Sequence, residues 1–126
     1  MKKNKLTIED LLEKKTGSKR EMFFDSDVLE ARIDFEKIDS AKIMDILQDA
    51  KENKITIHDA NCFVIYLSVP MFRNEQLRKK HEIKDSPYKI VDVLFDGDVM
   101  EITEFADKIL SNYGFTAEKV NKLKKQ

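Results

Sequence analysis

The stretch DVMEITEFADKILSNYG, residues 98–114, carries the clearest structural pattern in the sequence. Its apolar residues recur three or four positions apart, the spacing that places side chains on one face of an α-helix. Asp98 is a favourable N-cap with Glu101 three residues on, and Gly114 stands where the glycine that follows a helix belongs. The stretch therefore predicts a helix packed on a core, and its expected inward face consists of Ile102, Phe105, Ala106, Ile109, Leu110 and Tyr113.

Capping signals predict four more helices upstream of this one. The cap residues are, in chain order, Asp39 or Ser40, Thr56 with Asp59, Asn74, and Ser86 followed by Pro87. Because proline disfavours the helical conformation in the residue before it, Pro70 should keep Val69 extended. The expected inward residues of the first and last of these helices are Ile43, Met44, Leu47, Ala50, Ile90, Val91, Leu94 and Phe95.

Residues 28–36 show a different period. Apolar and polar side chains alternate there, as in a strand with one buried face. The apolar set is Leu29, Ala31, Ile33 and Phe35. Residues 21–24 are the predicted partner strand, with residues 25–27 as the turn. The sequence thus predicts a β-hairpin near residues 21–37, packed on the helices because a lone hairpin is only marginally stable.

A short amphipathic helix is predicted near the N-terminus, where Thr7 and Asp10 have the spacing of a capping box. Residues 14–19 are polar and contain a glycine, which predicts a flexible linker. The expected organisation is a short helix and linker in residues 1–19 and one helical domain in residues 20–126. The predicted fold class is mainly α, a single compact domain of about five or six helices with a small N-terminal β-hairpin.

The charges of the 126-residue chain nearly cancel, since 23 Lys and Arg and 24 Asp and Glu give a formal net charge of −1. Nucleic-acid binders usually carry a basic excess or stripe, and the lysine runs here lie near the chain ends, where solvated termini explain them better. The longest apolar run, residues 62–67, is too short to span a bilayer. Residues 6–10 carry charges where a signal peptide would be apolar. We expect a cytoplasmic protein with no nucleic-acid or membrane partner.

Few groups in the chain suit catalysis or metal binding. A zinc site needs several Cys, His or carboxylate ligands at helical or turn spacing, whereas His58 and Asp59 are adjacent and point apart, so we expect structural or solvent-facing roles for His58 and His81. Cys62 is the only cysteine and should be a buried, small apolar residue. No nucleophile or phosphate-binding motif is present. We therefore expect no enzyme, no cofactor and no metal. A small enzyme would instead need a polar pocket that gathers Asp92, Asp96 and Glu101.

Two irregular segments hold the candidates for partner binding. Residues 22–24 are Met-Phe-Phe, which cannot all face one core, and residues 71–72 are Met-Phe after a proline. Such residues usually cover the edge of a core, but an exposed apolar patch would mark a partner site. Methionine suits adaptable contacts with a poorly structured client. The candidate partner-binding residues are Met22, Phe23, Met71, Phe72 and Leu77.

From about residue 55 to residue 115 the features follow a recognisable order. A cysteine in an apolar helix precedes Val69-Pro70, a short helix with Leu77, Ser-Pro-Tyr at 86–88, IVDVLF at 90–95 and a last helix ending ILSNYG at 109–114. This order resembles the tail assembly chaperones of defective-prophage contractile tails in Gram-positive bacteria (PBSX-type, XkdN-like). The opening LTIEDLL, residues 6–12, is similar to the start typical of that family. Together the matches cover about half the chain.

The resemblance implies a non-catalytic chaperone that binds the tape-measure protein and keeps it soluble in the bacterial host cytoplasm during tail morphogenesis. Tail tube proteins and a second copy of the chain are further partners that it suggests. Weak apolar helix-in-groove contacts, repeated along the client, would suit this role. The alternative expectation is a small phage- or bacterium-encoded regulatory or adaptor protein that binds another protein complex.

Overall fold

The computed structural model describes residues 5–13 and 22–115, which are mainly helical with a two-stranded antiparallel hairpin, so the predicted fold class is confirmed. The predicted linker lies outside the described residues. The elements are α1 (Ile8–Glu13), β1 (Phe23–Ser26), β2 (Ala31–Asp34), α2 (Ser40–Lys51), α3 (Ile57–Ser68), a 3₁₀ helix (Pro70–Arg73), α4 (Glu75–Lys80), α5 (Lys89–Leu94) and α6 (Val99–Ser111). Across the described part of the chain, no helix has the length and apolar character needed to cross a membrane.

Helix α3 lies at the centre of the helical packing and contacts α2, α5 and α6. It begins at the predicted cap, where the Thr56 hydroxyl accepts a hydrogen bond from the Asp59 amide at 3.0 Å. It ends before Val69, which is extended with φ −115° and ψ 97° as the following Pro70 requires. Because α3 is apolar on several faces, it can be buried by three neighbours at once.

An aromatic cluster joins the hairpin to the helices. The Phe105 ring on α6 stacks on Phe24 of β1 with centroids 4.4 Å apart, and it contacts Phe35 at 6.1 Å. Phe95 meets Phe105 edge-on at 6.0 Å, and Phe72 meets Phe95 edge-on at 6.2 Å. Such pairs add roughly 0.5–1.5 kcal/mol each beyond their area burial. The hairpin is therefore part of the core.

The hairpin is displaced from its predicted position. Strand β1 continues through Ser26, so the turn occupies residues 27–30 and not residues 25–27. The strand predicted over residues 28–36 consequently begins at Ala31, which is exposed, while Leu29 is half-buried in the turn. The predicted inward residues that are fully buried are Ile33 and Phe35.

The physical reason for this displacement is a carboxylate on α6. Glu101 is buried, and it accepts hydrogen bonds from the Ser26 hydroxyl at 2.8 Å and from the amides of Asp27 at 2.7 Å and Val28 at 3.1 Å. The Ser26 hydroxyl also accepts a hydrogen bond from the Leu29 amide at 2.9 Å. These bonds hold Asp27 and Val28 in a turn. The position of the hairpin turn is thus set by a residue 75 positions along the chain from Ser26, and local sequence propensity cannot reveal such a contact.

The inward face of α2 also differs from its prediction, at two positions. Met44 is 50% exposed, whereas Ile46 is buried. The buried residues Ile43, Ile46, Leu47 and Ala50 follow the i, i+3, i+4, i+7 spacing of one helix face. Met44 lies one position past the first of them and is turned away from the core.

Helix ends follow the predicted capping chemistry, with one shift. Gly114 has φ +85°, and the chain closes around it through hydrogen bonds from the Phe115 amide to Leu110 and from the Gly114 amide to Ser111. This is a Schellman motif, so the predicted C-terminal glycine is confirmed. Helix α5, by contrast, begins at Lys89, because the carbonyls of residues 86–88 accept hydrogen bonds from amides three residues on, which is the spacing of a 3₁₀ turn.

Candidate functional site

The predicted pair at residues 71–72 is divided between the surface and the core. Met71 lies on the 3₁₀ helix and is 64% exposed. Phe72 is 4% exposed and packs on Phe95. Tertiary packing separates the two because consecutive residues of a helical turn point in different directions.

The other three predicted residues are partly covered. Met22 and Leu77 are half-buried and pack against the core. Phe23 is also half-buried, and its ring lies under the Arg32 guanidinium at 3.8 Å and near the Lys108 ammonium at 4.5 Å. Of the five candidates, Met71 presents the most apolar surface.

Helix α1 presents a larger apolar surface. Its capping box is formed, with the Thr7 amide donating to Asp10 at 3.0 Å and the Asp10 amide donating to the Thr7 hydroxyl at 3.3 Å. None of its residues is buried. The apolar side chains on and beside it are all more than half exposed, and they are Leu6, Ile8, Leu11 and Leu12. The N-terminus of the helix is therefore capped, while its apolar face is exposed to solvent.

Three methionines outside α1 are also exposed. Met44 on α2, Met71 on the 3₁₀ helix and Met100 on α6 are each exposed by half or more. A long, unbranched and polarisable side chain adapts its shape to irregular partners.

One polar cluster, the His–Cys–Asp cluster, combines His58 and Cys62 of α3 with Asp92 of α5. His58 and Cys62 are one helical turn apart, so they share a face that meets α5. The His58 Nε2 atom lies 2.7 Å from Asp92 Oδ1 and 3.8 Å from Cys62 Sγ. The three donor atoms lie within 4.8 Å of one another.

The electrostatics of this cluster keep the thiol protonated. Burial, reinforced by the negative charges of Asp92 and Asp59, raises the pKa of the Cys62 thiol from 9.0 to about 12. A backbone hydrogen bond from Asp92 opposes this shift without cancelling it. The nucleophilic form of cysteine is the thiolate, so at neutral pH this thiol is unreactive.

The arrangement also lacks the geometry of a catalytic relay. In a nucleophile–base–acid relay, the histidine uses one nitrogen for the nucleophile and the other for the carboxylate. Here Cys62 and Asp92 both approach Nε2 of His58, and Nδ1 is buried with no hydrogen-bond partner among the described residues. Three donor atoms thus converge on one point.

The cluster was not predicted from the sequence for a physical reason. The carboxylate that pairs with His58 is not its neighbour Asp59 but Asp92, 34 residues along the chain. The spacing of His58 and Cys62, four apart on one helix, was the available signal. The carboxylates proposed for an alternative enzyme have separate environments: Asp92 pairs with His58, Asp96 is exposed after α5, and Glu101 holds the hairpin turn.

Comparison of the chain with protein-family models, with curated proteins and with solved structures finds no match.

Proposed function

We propose that this chain is a non-catalytic tail assembly chaperone that binds the tape-measure protein of a phage or prophage and keeps it soluble in the cytoplasm during tail assembly. The observation that carries the proposal is the open apolar face of α1, a capped helix with no buried residue. The sequence resemblance supplies the identity of the client.

The size of this face favours weak and reversible binding. Fully burying one leucine or isoleucine side chain is worth roughly 1.5–3 kcal/mol. The four exposed apolar residues at α1 therefore supply an amount similar to the association cost of roughly 4–15 kcal/mol. The binding of one copy of this chain is weak. Several copies bound along one long helical client would cover the client and could still be displaced by the tail tube.

The His–Cys–Asp cluster supports a role without catalysis. Its thiol is protonated at neutral pH, and its histidine does not bridge the thiol and the carboxylate through opposite nitrogens. Among the described residues, the apolar face of α1 is better suited to a biological role than this cluster is to a reaction.

A pair of matched double variants tests the proposal. In Ile8→Ser with Leu12→Ser, two apolar side chains one turn apart are removed. The control, Glu9→Ser with Glu13→Ser, makes the same change at the same spacing on the polar side of α1. Each variant is co-expressed with the tape-measure protein of the same genome, and the amount that co-purifies is measured.

We expect the apolar variant to reduce the co-purified client at least about tenfold, since roughly 3–6 kcal/mol of apolar burial is removed. The control should retain the client. Because α1 has no buried residue, both variants should keep the helical circular dichroism of the parent. Equal retention of the client by both variants would show that α1 is not the binding face, and loss of all binding in the parent would defeat the proposal.

A further inference from the structure

We propose that His58, Cys62 and Asp92 form a site for one divalent transition-metal cation, with Zn²⁺ as the preferred ion, because their three donor atoms converge between α3 and α5. The inference does not depend on the proposed chaperone function. It concerns a separate part of the surface from the face of α1.

The geometry is close to that of a tetrahedral centre. Bond lengths of about 2.0–2.3 Å to nitrogen, oxygen and sulfur put the donor atoms of a zinc site roughly 3.3–3.6 Å apart. The separation of Cys62 Sγ and His58 Nε2 is 3.8 Å, and that of His58 Nε2 and Asp92 Oδ1 is 2.7 Å. The third pair, Cys62 Sγ and the Asp92 carboxylate, lies within 4.8 Å. A shift of the Asp92 side chain by up to about an ångström, within the reach of a half-exposed aspartate rotamer, therefore admits the ion.

The donor types select the ion. A thiolate, an imidazole and a carboxylate form a mixed sulfur, nitrogen and oxygen set, which suits Zn²⁺ and is unfavourable to Mg²⁺ and Ca²⁺. One thiolate and one carboxylate also balance the two charges of the cation. The site is supplied by α3 and α5, two packed helices, so its ligands are held by rigid elements.

The side of the site formed by His58 and Asp92 is open to solvent, so a metal ion and a water ligand could reach it. The Cys62 thiol is buried, while the side chains of His58 and Asp92 are 31% and 46% exposed. The ion would enter from that exposed side, and water would complete its coordination. Binding releases the thiol proton to solvent, and the imidazole would coordinate through Nε2 as the neutral tautomer with its proton on Nδ1. The affinity should therefore increase with pH.

The test uses the untagged 126-residue chain with Zn²⁺ and with Co²⁺ as a spectroscopic substitute. We expect one equivalent of metal per chain, and Co²⁺ should give a thiolate-to-metal charge-transfer band with the visible bands of a tetrahedral centre. Zn²⁺ at one hundred times Kd should raise Tm by about 10 °C.

Four variants separate this site from adventitious binding. Cys62→Ser should abolish the charge-transfer band, and Asp92→Asn should weaken Zn²⁺ binding at least about tenfold. The matched controls are His81→Ala, which removes the other histidine, and Asp96→Asn, which changes an exposed aspartate that follows the same helix. Both controls should bind like the parent.

A parent chain without the charge-transfer band, or affinity that is unchanged in Asp92→Asn and lost in His81→Ala, would overturn the proposal. Asp92 is partly exposed, so that variant serves even if Cys62→Ser fails to fold.

Discussion

Glu101 shows how one residue can join two distant parts of this chain. Its buried carboxylate accepts one hydroxyl and two backbone amide hydrogen bonds from the hairpin turn. Hydrogen bonds to a charged group are worth roughly 1.5–3 kcal/mol each, and a buried donor left without a partner costs roughly 1–3 kcal/mol. The carboxylate is therefore satisfied in its buried position, and the turn depends on it.

Glu101→Ala should lower the free energy of unfolding by roughly 3 kcal/mol or more, because the Ser26 hydroxyl and two amides lose their acceptor. Urea denaturation measures the change. The control is Glu104→Ala, an exposed glutamate of the same helix, which should change the stability by no more than about 0.5 kcal/mol. Equal effects of the two substitutions would contradict this role for Glu101.

Cys62 gives a residue-scale prediction about pH. The pKa of its thiol is raised from 9.0 to about 12 in the folded chain, first by burial and then by neighbouring carboxylates. Above about pH 9 the unfolded chain loses this proton while the folded chain keeps it. The stabilisation is therefore complete below about pH 9 and is lost as the pH rises toward about 12.

Metal-free parent protein should lose roughly 2 kcal/mol through this thiol between about pH 9 and about pH 10.5, at about 1.4 kcal/mol per pH unit. Cys62→Ala removes the titrating group, so its stability should decline less steeply over the same range. Urea denaturation at a series of pH values, with a chelator present, compares the two. Parallel curves would show that the thiol titrates normally in the folded chain.

At the scale of elements, most helices follow from local chemistry. The predicted N-caps are formed by Thr56, Asn74 and Asp98. Each side chain accepts a hydrogen bond from a backbone amide two or three residues on, so the cap needs no distant partner. Gly114 ends α6 for the same local reason. The inward stripe of α6 was predictable because its apolar residues repeat with the helical period.

Features that depend on distant contacts were not predictable in this way. The hairpin turn is fixed by Glu101, and the ligand set of the His–Cys–Asp cluster is completed by Asp92 on another helix. Sequence spacing places His58 and Cys62 on one face, but it does not show which helix that face meets. The packing of α3 against α5 supplies this information.

The 3₁₀ helix places one of two neighbouring side chains in the core and the other at the surface, and this difference can be tested. Phe72→Ala should lower the free energy of unfolding by about 3–5 kcal/mol, since the ring is buried against Phe95. Met71→Ala should change it by no more than about 0.5 kcal/mol, because the side chain is mostly exposed. Thermal and urea denaturation measure both. A destabilisation by Met71→Ala as large as that by Phe72→Ala would mean that Met71 belongs to the core.

On the scale of the whole molecule, the chain divides its apolar residues between two tasks. The hairpin and helices α2, α3, α5 and α6 contribute to one hydrophobic core centred on aromatic rings. The apolar residues of α1 take no part in that core, and Met44 and Met100 also face outward. Single exposed apolar residues are common on protein surfaces, but the contiguous apolar face of α1 is the feature on which the proposed client binding rests.

The mass of the complex with the client tests the central claim most directly. This chain and the tape-measure protein of the same genome are co-expressed, and the soluble fraction is analysed by size-exclusion chromatography with light scattering. We predict a soluble complex with several copies of this chain on each client, and an insoluble client when this chain is left out. A client that is equally soluble alone, with no complex detected, would contradict the account.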